Sequence, residues 1–438
     1  MASGATGVGR RAFLGGAVAA AGAITVGGGA GLPAAHADER RVPLTRLHGP
    51  TAATAWMRRT YDVVFDEQLS PPAAARGYAY VSLAMYESVV AGMPEMLSLG
   101  GQLHDLPALP APAWSVSLDW PSALTGAVRT VLDEQLAARA AAGVPERVRA
   151  ASLALGRRVG EVLVARMRRD GYAGTLGREK TYVPPVGPDK WERTPPNYNP
   201  PVEPYWGEVS SFVLAHSGEC EPPPHVPYSE EPGSPFWQQA LATYEQSLRN
   251  TDETRAIARF WTDNPGSSGL PAGHWLSIVT QVTEQRALRL DQAVEAFALT
   301  SVALADAFLS CWYGKFRINL VRPITYVRRV MGKSTWSTFV NTPQFPEYTS
   351  GHSVSSMAAA TVLTDLLGSF PFFDDTHANY PLPPRPARTH NSFVSAAEEA
   401  ANSRIYGGIH YPMGIEAGKE QGVKVGDIVL TRLRTRRI

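Results

Sequence analysis

The chain has 438 residues, enough for one large apolar core or for two packed subdomains. Its 41 lysines and arginines balance 40 aspartates and glutamates. This near-neutral balance gives no reason to expect a nucleic-acid or anionic-membrane partner.

The first segment, residues 1–37, has the organisation of a bacterial export signal. Arg10 and Arg11 precede a weakly apolar stretch rich in Ala and Gly, and Ala35-His36-Ala37 offers a small-residue cleavage site. The paired arginines favour the twin-arginine route. We therefore expect residues 1–37 to be removed and the mature protein to be periplasmic or secreted.

Beyond this segment, no stretch has the roughly 20 uninterrupted apolar residues that a membrane helix requires. The mature chain is therefore expected to have no membrane span. Cys220 and Cys311 would meet an oxidising compartment after export. Whether they form a disulfide is left open, since the sequence does not show whether they meet.

Helical patterns fill most of the rest of the chain. Residues 50–100 read as helix, and the pattern is clearest from Ala73 to Gly92. The other predicted helices are Ser122 to Ala142, Pro145 to Asp170, Pro235 to Arg249, Thr251 to Thr262, a segment opening at Gly273, Leu290 to Lys315, Val354 to Leu367, and Gly414 to Leu433. Residues 369–391 are predicted to be a loop, and no strand is predicted.

Residues 182–236 differ from the rest because they hold fourteen of the 36 prolines. Proline at this density excludes helix, whereas Trp191 and Trp206 argue against a free linker. We predict an all-α helical bundle with this extended segment wrapped around it. The predicted regions are the signal (1–37), an N-terminal helical region (38–236), and a C-terminal helical region with the active site (237–438).

Three clusters in the C-terminal region combine into an oxyanion site. Ser350-Gly351-His352 starts a helix, where free N–H groups and the helix dipole favour an anion. The other two clusters are Lys315-x6-Arg322-Pro323 and Ser403-Arg404-x5-His410. Together they supply three cations, two imidazoles, a hydroxyl and a backbone N–H, which suits a tetrahedral oxyanion. No Asp/Glu pair or Cys/His set suits zinc or calcium.

In order and residue type, the three clusters resemble the signature shared by vanadium-dependent haloperoxidases and type 2 phosphatidic acid phosphatases. The resemblance extends over roughly residues 60–430. The segments Ile257 to Trp261 and Gly273 to Trp275 look like the haloperoxidase branch. The expected lack of membrane spans also sets aside the lipid phosphatases.

The resemblance implies vanadate as the cofactor, with hydrogen peroxide, a halide and a small organic acceptor as substrates. It implies His410 as the axial vanadium ligand and His352 as the acid–base residue. The groups implied to hold the vanadate oxygens are Lys315, Arg322, Arg404, the Ser350 hydroxyl and the Gly351 N–H, and Lys315 would also polarise bound peroxide. Trp312 and Phe345 match positions that line the halide pocket, and a homodimer is an open alternative.

Two departures from the family pattern stand out. Thr349 replaces the usual proline of the Pro-Ser-Gly-His loop, and Gly414 replaces the Asp that usually follows the ligating histidine by four residues. A carboxylate partner fixes the tautomer of a metal-binding histidine and strengthens it. Glu416 could take this role only if the start of the last helix turns it inward, and Gly414→Asp is expected to tighten vanadate.

Three functions remain as readings of the same site. A haloperoxidase would use vanadate and peroxide to oxidise halide, whereas an acid phosphatase would form a phosphohistidine at His410. A catalytically quiet oxyanion-binding relative is the third. Gly414 weighs against the phosphatase, because a nucleophilic imidazole relies on an orienting carboxylate. His216, His225, His274 and His390 are interpreted as structural.

Overall fold

The computed structural model describes residues 44–112, 116–133, 144–378 and 385–437. The export segment and the end of the helix predicted at 122–142 lie outside these residues. The α-helices of the described residues are α1 (Thr51–Asp66), α2 (Pro71–Val89), α3 (Trp120–Leu132), α4 (Glu146–Met167), α5 (Pro235–Arg249), α6 (Asp252–Phe260), α7 (Leu270–Gln285), α8 (Leu290–Ile318), α9 (Pro323–Arg329), α10 (Gly351–Leu367), α11 (Phe393–Tyr406) and α12 (Pro412–Arg432).

The all-α prediction is confirmed, and the helix ends follow from local chemistry. Helix α5 begins as predicted, because Ser234 accepts a hydrogen bond from the Trp237 N–H and Pro235 occupies the first turn. Helix α10 begins at Gly351, since the Ser350 hydroxyl accepts from the Ser353 N–H at 3.3 Å. A side-chain cap of this kind depends only on residues three apart, so sequence reasoning locates it well.

The expectation of no strand is wrong for one small element. Strands β1 (Phe372–Asp374) and β2 (Arg388–His390) form an antiparallel pair with Phe372 opposite His390. Each strand has three residues, too few to display an alternation of apolar and polar positions. The short helix α9 and the helix α11 were also missed, the second because its buried face consists mainly of alanine and so lacks a marked apolar periodicity.

The Pro-rich segment 182–236 is extended and packed, as predicted. Among its described residues the helical elements are a single turn, Trp206–Glu208, and the first two residues of α5. Its aromatic side chains Trp191 and Trp206 are buried. The Asp306 carboxylate of α8 accepts from the N–H groups of residues 212–214 at 2.7–3.0 Å, which anchors the segment to the centre of the fold.

Helix α8 is the centre of the bundle, since nearly all its side chains from Leu290 to Lys315 are buried. It packs against α2, α10 and α12, and one apolar cluster draws residues from Ala53 to Leu433. It is the one helix of the described residues that is long and apolar enough to cross a membrane, with a mean hydropathy of 1.5. Its whole apolar window is buried among other helices, so α8 is a core helix.

Several helix ends meet beside the C-terminal end of α8. Lys315 lies in its last turn, Arg322 immediately precedes α9, and Ser350 caps α10. Arg404 lies in the last turn of α11, and His410 precedes α12. The arrangement concentrates helix termini and cations in one region of the C-terminal half.

The two cysteines, Cys220 and Cys311, are both buried free thiols.

Candidate active site

The first turn of α10 forms the anion-facing end of the site. The N–H groups of a helix's first turn lack partners within the helix. The residue that precedes α10 is held in place by α12, because the Ser350 N–H donates to the Gly414 carbonyl at 2.9 Å. A side chain at Gly418 would collide with this turn, as its Cβ would lie 2.8 Å from the Ser353 Cβ. Close approach of α12 therefore fixes the start of α10.

Two buried guanidinium groups flank this helix start. Arg322 donates to the carbonyls of Phe345 and Ile409, both at 2.8 Å, and Arg404 donates to the carbonyl of Trp261 at 2.8 Å. Arg322 Nη2 and Arg404 Nε are buried and have no hydrogen-bond partner among the described residues. Burial lowers the pKa of each guanidinium to about 10, although Glu347 near Arg322 and Asp263 near Arg404 oppose this.

Lys315 reaches the same region from the end of α8. Its ammonium group is fully buried and donates to the carbonyls of Pro346, Glu347 and Thr349. These contacts use all three ammonium protons, so Lys315 holds the loop before α10. Burial lowers the pKa of Lys315 to about 7. Lys315 therefore lies behind the cavity wall, with its charge directed at the loop.

His410 is held between an acceptor and a donor. Its Nδ1 lies 2.8 Å from Glu347 Oε1, and its Nε2 lies 3.2 Å from Arg322 Nη1. A carboxylate only accepts and a guanidinium only donates, so these partners assign the proton to Nδ1 and a lone pair to Nε2. Glu347 Oε1 also accepts from the Tyr411 N–H at 3.0 Å. The imidazole is therefore fixed in the tautomer that a metal-binding histidine needs.

Glu347 is the carboxylate that the sequence lacked at position 414. A Cβ at Gly414 would lie 2.8 Å from Glu347 Oε2 and closer still to Oε1, so the glycine makes room for this side chain. Glu416, the substitute considered from sequence, is exposed and pairs with Lys419 at 2.7 Å. Sequence reasoning missed Glu347 although it lies five residues before His352, because its partner is 63 positions away.

The Glu347 carboxyl group is strongly perturbed by its surroundings. Burial raises its pKa to about 7, while Lys315 and Arg322 act in the opposite direction. Burial also lowers the pKa of His410 well below its ordinary value, and the three cations Arg322, Lys315 and Arg404 lower it further. Burial and the three cations keep the imidazole neutral, so Nε2 retains a lone pair, which faces Arg322 Nη1 at 3.2 Å.

His352, in the first turn of α10, lines the cavity together with Arg404 and His410. Its Nε2 is buried and has no hydrogen-bond partner in the described part of the chain. Burial lowers the pKa of His352 well below its ordinary value, and the neighbouring Arg404 lowers it further. The imidazole is consequently neutral near pH 7 and able to accept a proton.

A buried ionic chain lies behind His352. His274 on α7 contacts Asp263 through Nδ1 at 2.9 Å and Asp374 through Nε2 at 3.0 Å. The Trp261 ring stacks on its imidazole with centroids 4.2 Å apart. Burial opposes protonation, yet the two carboxylates raise the pKa of His274 to about 10. Asp263 also lines the cavity. His274, which was interpreted as structural from the sequence, therefore holds a residue of the site in place.

Asp263, His274 and His377 lie close enough for one metal ion, with ligand atoms within 4.8 Å of one another. Both nitrogens of His274 are already bonded to carboxylates. His377 Nε2 lies 2.8 Å from the Phe260 carbonyl. An imidazolium between two carboxylates offsets one of the two buried negative charges, so ionic pairing explains this cluster.

A cavity of about 390 Å³ opens above the two active-site histidines. Its inner wall includes the aromatic rings of Trp312 and Phe345, whose centroids are 4.8 Å apart, and the ring of Phe308. The Trp312 Nε1–H donates to the Val202 carbonyl at 3.0 Å, which ties the Pro-rich segment to this wall. The two residues assigned to a halide pocket therefore form one apolar surface beside the cations.

All nine site residues predicted from sequence lie around one region. Trp312, Phe345, Gly351, His352, Arg404 and His410 line the cavity. Arg322, Ser350 and Lys315 lie directly behind them, with Arg322 and Lys315 about 5 Å from the Phe345 ring (5.0 and 5.1 Å). Unpaired buried N–H donors beside an imidazole lone pair fit vanadate, which needs oxygen partners and one nitrogen ligand.

Comparison with known proteins supports this chemistry. The family model of the VCPO second helical-bundle domain matches residues 295–437. No curated protein sequence matches the chain. Two solved structures of a bacterial vanadium-dependent chloroperoxidase, in holo and apo forms, are 14% and 16% identical to it. They cover 83% of this chain and 92% and 95% of their own, with TM-scores of 0.62 and 0.63, and therefore show a shared fold.

A further solved structure, described as the first bacterial vanadium-dependent iodoperoxidase, is 34% identical to the chain. It covers 89% of this chain and 98% of its own, with a TM-score of 0.82. Identity at this level over nearly the whole of the other protein goes beyond a shared fold. With the helix-end cations and the oriented histidine in place, the chain belongs to the vanadium-dependent haloperoxidases.

Proposed function

We propose that this protein binds vanadate and uses hydrogen peroxide to oxidise a halide to hypohalous acid. The observation that carries the proposal is the pair of buried guanidinium groups, Arg322 and Arg404, each with an unpartnered N–H donor among the described residues. A buried guanidinium group with an unsatisfied N–H donor is costly. An oxyanion held beside the His410 Nε2 removes that cost and uses each unpaired donor.

The vanadate-binding roles are distributed over the helix ends. Arg322, Arg404, the Ser350 hydroxyl and the Gly351 N–H hold the oxygens, as anions are held at helix N-termini. His410 is the nitrogen ligand, and Glu347 orients it through Nδ1. Lys315 contributes charge, and direct contact with an oxygen requires it to give up one of its three carbonyl partners.

Vanadate, when bound, supplies a Lewis-acidic centre that activates peroxide towards halide without changing its own oxidation state. His352 accepts the proton that peroxide releases, since its Nε2 is unpartnered within the described chain and its pKa is lowered. Per turnover, halide loses two electrons, one peroxide oxygen leaves as water while the other enters hypohalous acid, and one proton is consumed. The Lys315 charge stabilises the developing negative charge on the peroxide oxygen.

The halide approaches over the apolar wall of Trp312 and Phe345. Such a wall favours a weakly hydrated ion, because entry removes water from the halide. Iodide is the most weakly hydrated of the common halides, and the structural relative of 34% identity is described as an iodoperoxidase. We propose iodide as the preferred halide.

The acid-phosphatase alternative is not favoured by the comparisons. One sequence argument against it no longer holds, because Glu347 provides the orienting carboxylate that Gly414 lacks. An experiment therefore has to separate the two. The purified protein, loaded with vanadate, should convert iodide to triiodide in the presence of peroxide, and His410→Ala should not. Phosphatase activity without peroxide, and no vanadate-dependent iodide oxidation, would reverse the assignment.

Export remains part of the proposal, with Arg10 and Arg11 directing the chain to the twin-arginine route. Expression in a bacterium with that route should yield an extracytoplasmic protein beginning at Asp38, as read by N-terminal sequencing. Replacing both arginines with lysine should retain the protein in the cytoplasm. Export of the double variant at the normal rate would contradict this route.

A further inference from the structure

Helix α4 carries an uneven share of the positive charge of the protein. The chain as a whole is close to neutral, with 41 basic and 40 acidic residues. Residues 146–169, which form α4 and the turn after it, contain seven arginines and two glutamates. One of these arginines, Arg166, is buried and donates to two backbone carbonyls and to the Tyr80 hydroxyl. The other six lie wholly or partly at the surface and give α4 a local excess of positive charge.

Three of the exposed arginines form a row along the helix. Arg147, Arg158 and Arg169 follow one another at intervals of eleven residues, which is three turns plus about 20° of rotation. Neighbours in the row are therefore about 16 Å apart along the helix axis, and the row is about 33 Å long. Arg168 has helical dihedral angles, so the last turn continues towards Arg169. The row thus runs over the whole length of α4.

This row lies on the side of α4 that faces away from the core. Gly156 marks the buried side, since a Cβ there would lie 2.7 Å from the Ala127 backbone nitrogen of α3. Arg158 is two residues further on and therefore about 200° around the helix from Gly156. The positions between the arginines on this outer side are alanines, Ala154 and Ala165. Small side chains between long ones leave shallow spaces along the row.

Most of the exposed arginines of α4 lack a carboxylate partner. Four of them form no ion pair with another described residue: Arg147, Arg158, Arg168 and Arg169. By contrast, Arg178 and Arg432 each hold a glutamate through both Nη atoms. The guanidinium groups of the row are therefore available for an external anion, which a guanidinium group can bind through two parallel hydrogen bonds.

The surroundings of the row indicate the kind of anion. Residues 146–169 contain no aromatic side chain, whereas single-stranded nucleic acids bind through bases stacked on aromatic rings. Helices that lie on membranes bury large apolar residues, whereas the outward positions between these arginines are alanines. A small anion would meet only one arginine of the row, because neighbours are about 16 Å apart. A linear polymer with repeated negative charges contacts all three at once, and several weak contacts then add to one stable attachment.

We propose that the outer face of α4 binds an acidic polysaccharide, a linear sugar chain that carries carboxylate or sulfate groups. The polymer lies along the row of Arg147, Arg158 and Arg169, with its sugar rings over the alanines between them. Such polymers lie outside the cytoplasm, so the proposal agrees with the export proposed above and does not depend on halide oxidation. Helix α4 packs on α3 and α2 and contributes no residue to the active-site cavity. A bound polymer therefore holds the enzyme in place while the cavity stays open.

The test is a calorimetric titration of the mature protein with polygalacturonate, with neutral dextran as the uncharged comparison. We expect polygalacturonate to bind and dextran not to bind. Added NaCl should weaken the binding, because the Debye length falls from about 10 Å at 0.1 M salt to about 3 Å at 1 M. The row variant Arg147→Gln/Arg158→Gln/Arg169→Gln should bind polygalacturonate more weakly by about 1.5- to 5-fold for each arginine lost.

A second triple variant removes the same charge from other elements. Arg193→Gln/Arg255→Gln/Arg434→Gln changes three exposed arginines outside α4 and should bind polygalacturonate with little change. Both triple variants should keep the wild-type circular dichroism spectrum and rate of iodide oxidation, so a loss of oxidation would concern the proposed function and not this surface. Equal weakening in the two triple variants, or full binding in the row variant, would overturn the proposal.

Two other polyanions test the choice of partner. The same titration is made with duplex DNA and with vesicles of phosphatidylcholine and phosphatidylglycerol in equal amounts. We expect both to bind more weakly than polygalacturonate. Tighter binding of DNA or of the vesicles, reduced in the row variant, would overturn the polysaccharide as the partner of α4.

Discussion

Substituting Gly414 with alanine should displace the carboxylate that orients His410. The new Cβ would lie 2.8 Å from Glu347 Oε2, whereas real Cβ atoms essentially never approach a heavy atom within 3.0 Å. Glu347 is fully buried, and its Oε1 lies 2.8 Å from His410 Nδ1, so a shift of the carboxyl group that makes room for the new Cβ also moves the oxygen that bonds the imidazole. The substitution therefore acts on His410, the proposed metal ligand, through its partner, although position 414 itself carries no side chain.

The size of the effect follows from the loss of an orienting partner. Removing such a partner from a metal-ligating histidine costs about 10- to 100-fold in metal affinity. This corresponds to about 1.4–2.7 kcal/mol of binding free energy. Glu347→Gln should cause a similar loss, because an amide of the same shape accepts a weaker hydrogen bond from Nδ1 than a carboxylate does. Vanadate affinity is measured by calorimetric titration of the vanadate-free protein.

Two control variants separate this effect from general destabilisation. Gly174→Ala adds a Cβ where no atom lies within 4 Å, and Glu416→Gln removes an exposed carboxylate on the same helix as Gly414. Both should bind vanadate normally. Gly414→Asp is now expected to weaken vanadate rather than to tighten it, unless Glu347→Ala is made with it to clear the space. Wild-type affinity in Gly414→Ala, with the fold intact by circular dichroism, would refute the reasoning.

Three further predictions concern neighbouring residues. His410→Ala should abolish vanadate binding in titration, whereas His352→Ala should retain vanadate and lose iodide oxidation; equal loss of vanadate would contradict the two roles. Because the pKa of His274 is raised to about 10, its stabilising effect should be complete below pH 6.5 and lost as pH rises towards 10. His274→Gln should therefore lower the free energy of unfolding by about 3–5 kcal/mol at pH 6 and flatten this pH dependence in urea titrations. Phe345→His should change the ratio of bromide to iodide oxidation while vanadate affinity stays within about twofold, since it alters the apolar wall rather than the ligands.

The parts of this structure that sequence reasoning predicted depend on local interactions. Ser350 caps α10 through an N–H only three residues away, and Ser234 caps α5 in the same way. The three cationic clusters were recognised because each lies within eight residues of chain next to a helix end. The prediction that the three clusters converge rests on one further inference, which is that three buried cations need a common anion. This inference depends on charge rather than on topology.

The parts that sequence reasoning missed depend on contacts between distant residues. His274 is 100 positions from Asp374, and the two meet only because β1 packs against α7. A histidine that opens a helical segment gives no sign of carboxylates on both sides. The pairing of β1 with β2 likewise crosses the loop between them, which is rich in proline. Neither contact leaves a periodic pattern in the sequence.

Glu347 and Gly414 are best understood as one feature of the site. The family pattern describes a carboxylate by its sequence distance from the ligating histidine, whereas the imidazole requires only that a carboxylate lie at Nδ1 in space. Here the loop before α10 supplies the carboxylate through Glu347, and α12 has only a glycine, Gly414, at the usual position of that carboxylate. The same residue accepts from Lys315 through its backbone carbonyl, at 2.9 Å, and from His410 through its side chain, at 2.8 Å. One loop residue thereby links the cation of α8 to His410, the proposed metal ligand before α12, so a shift of this loop would disturb both at once.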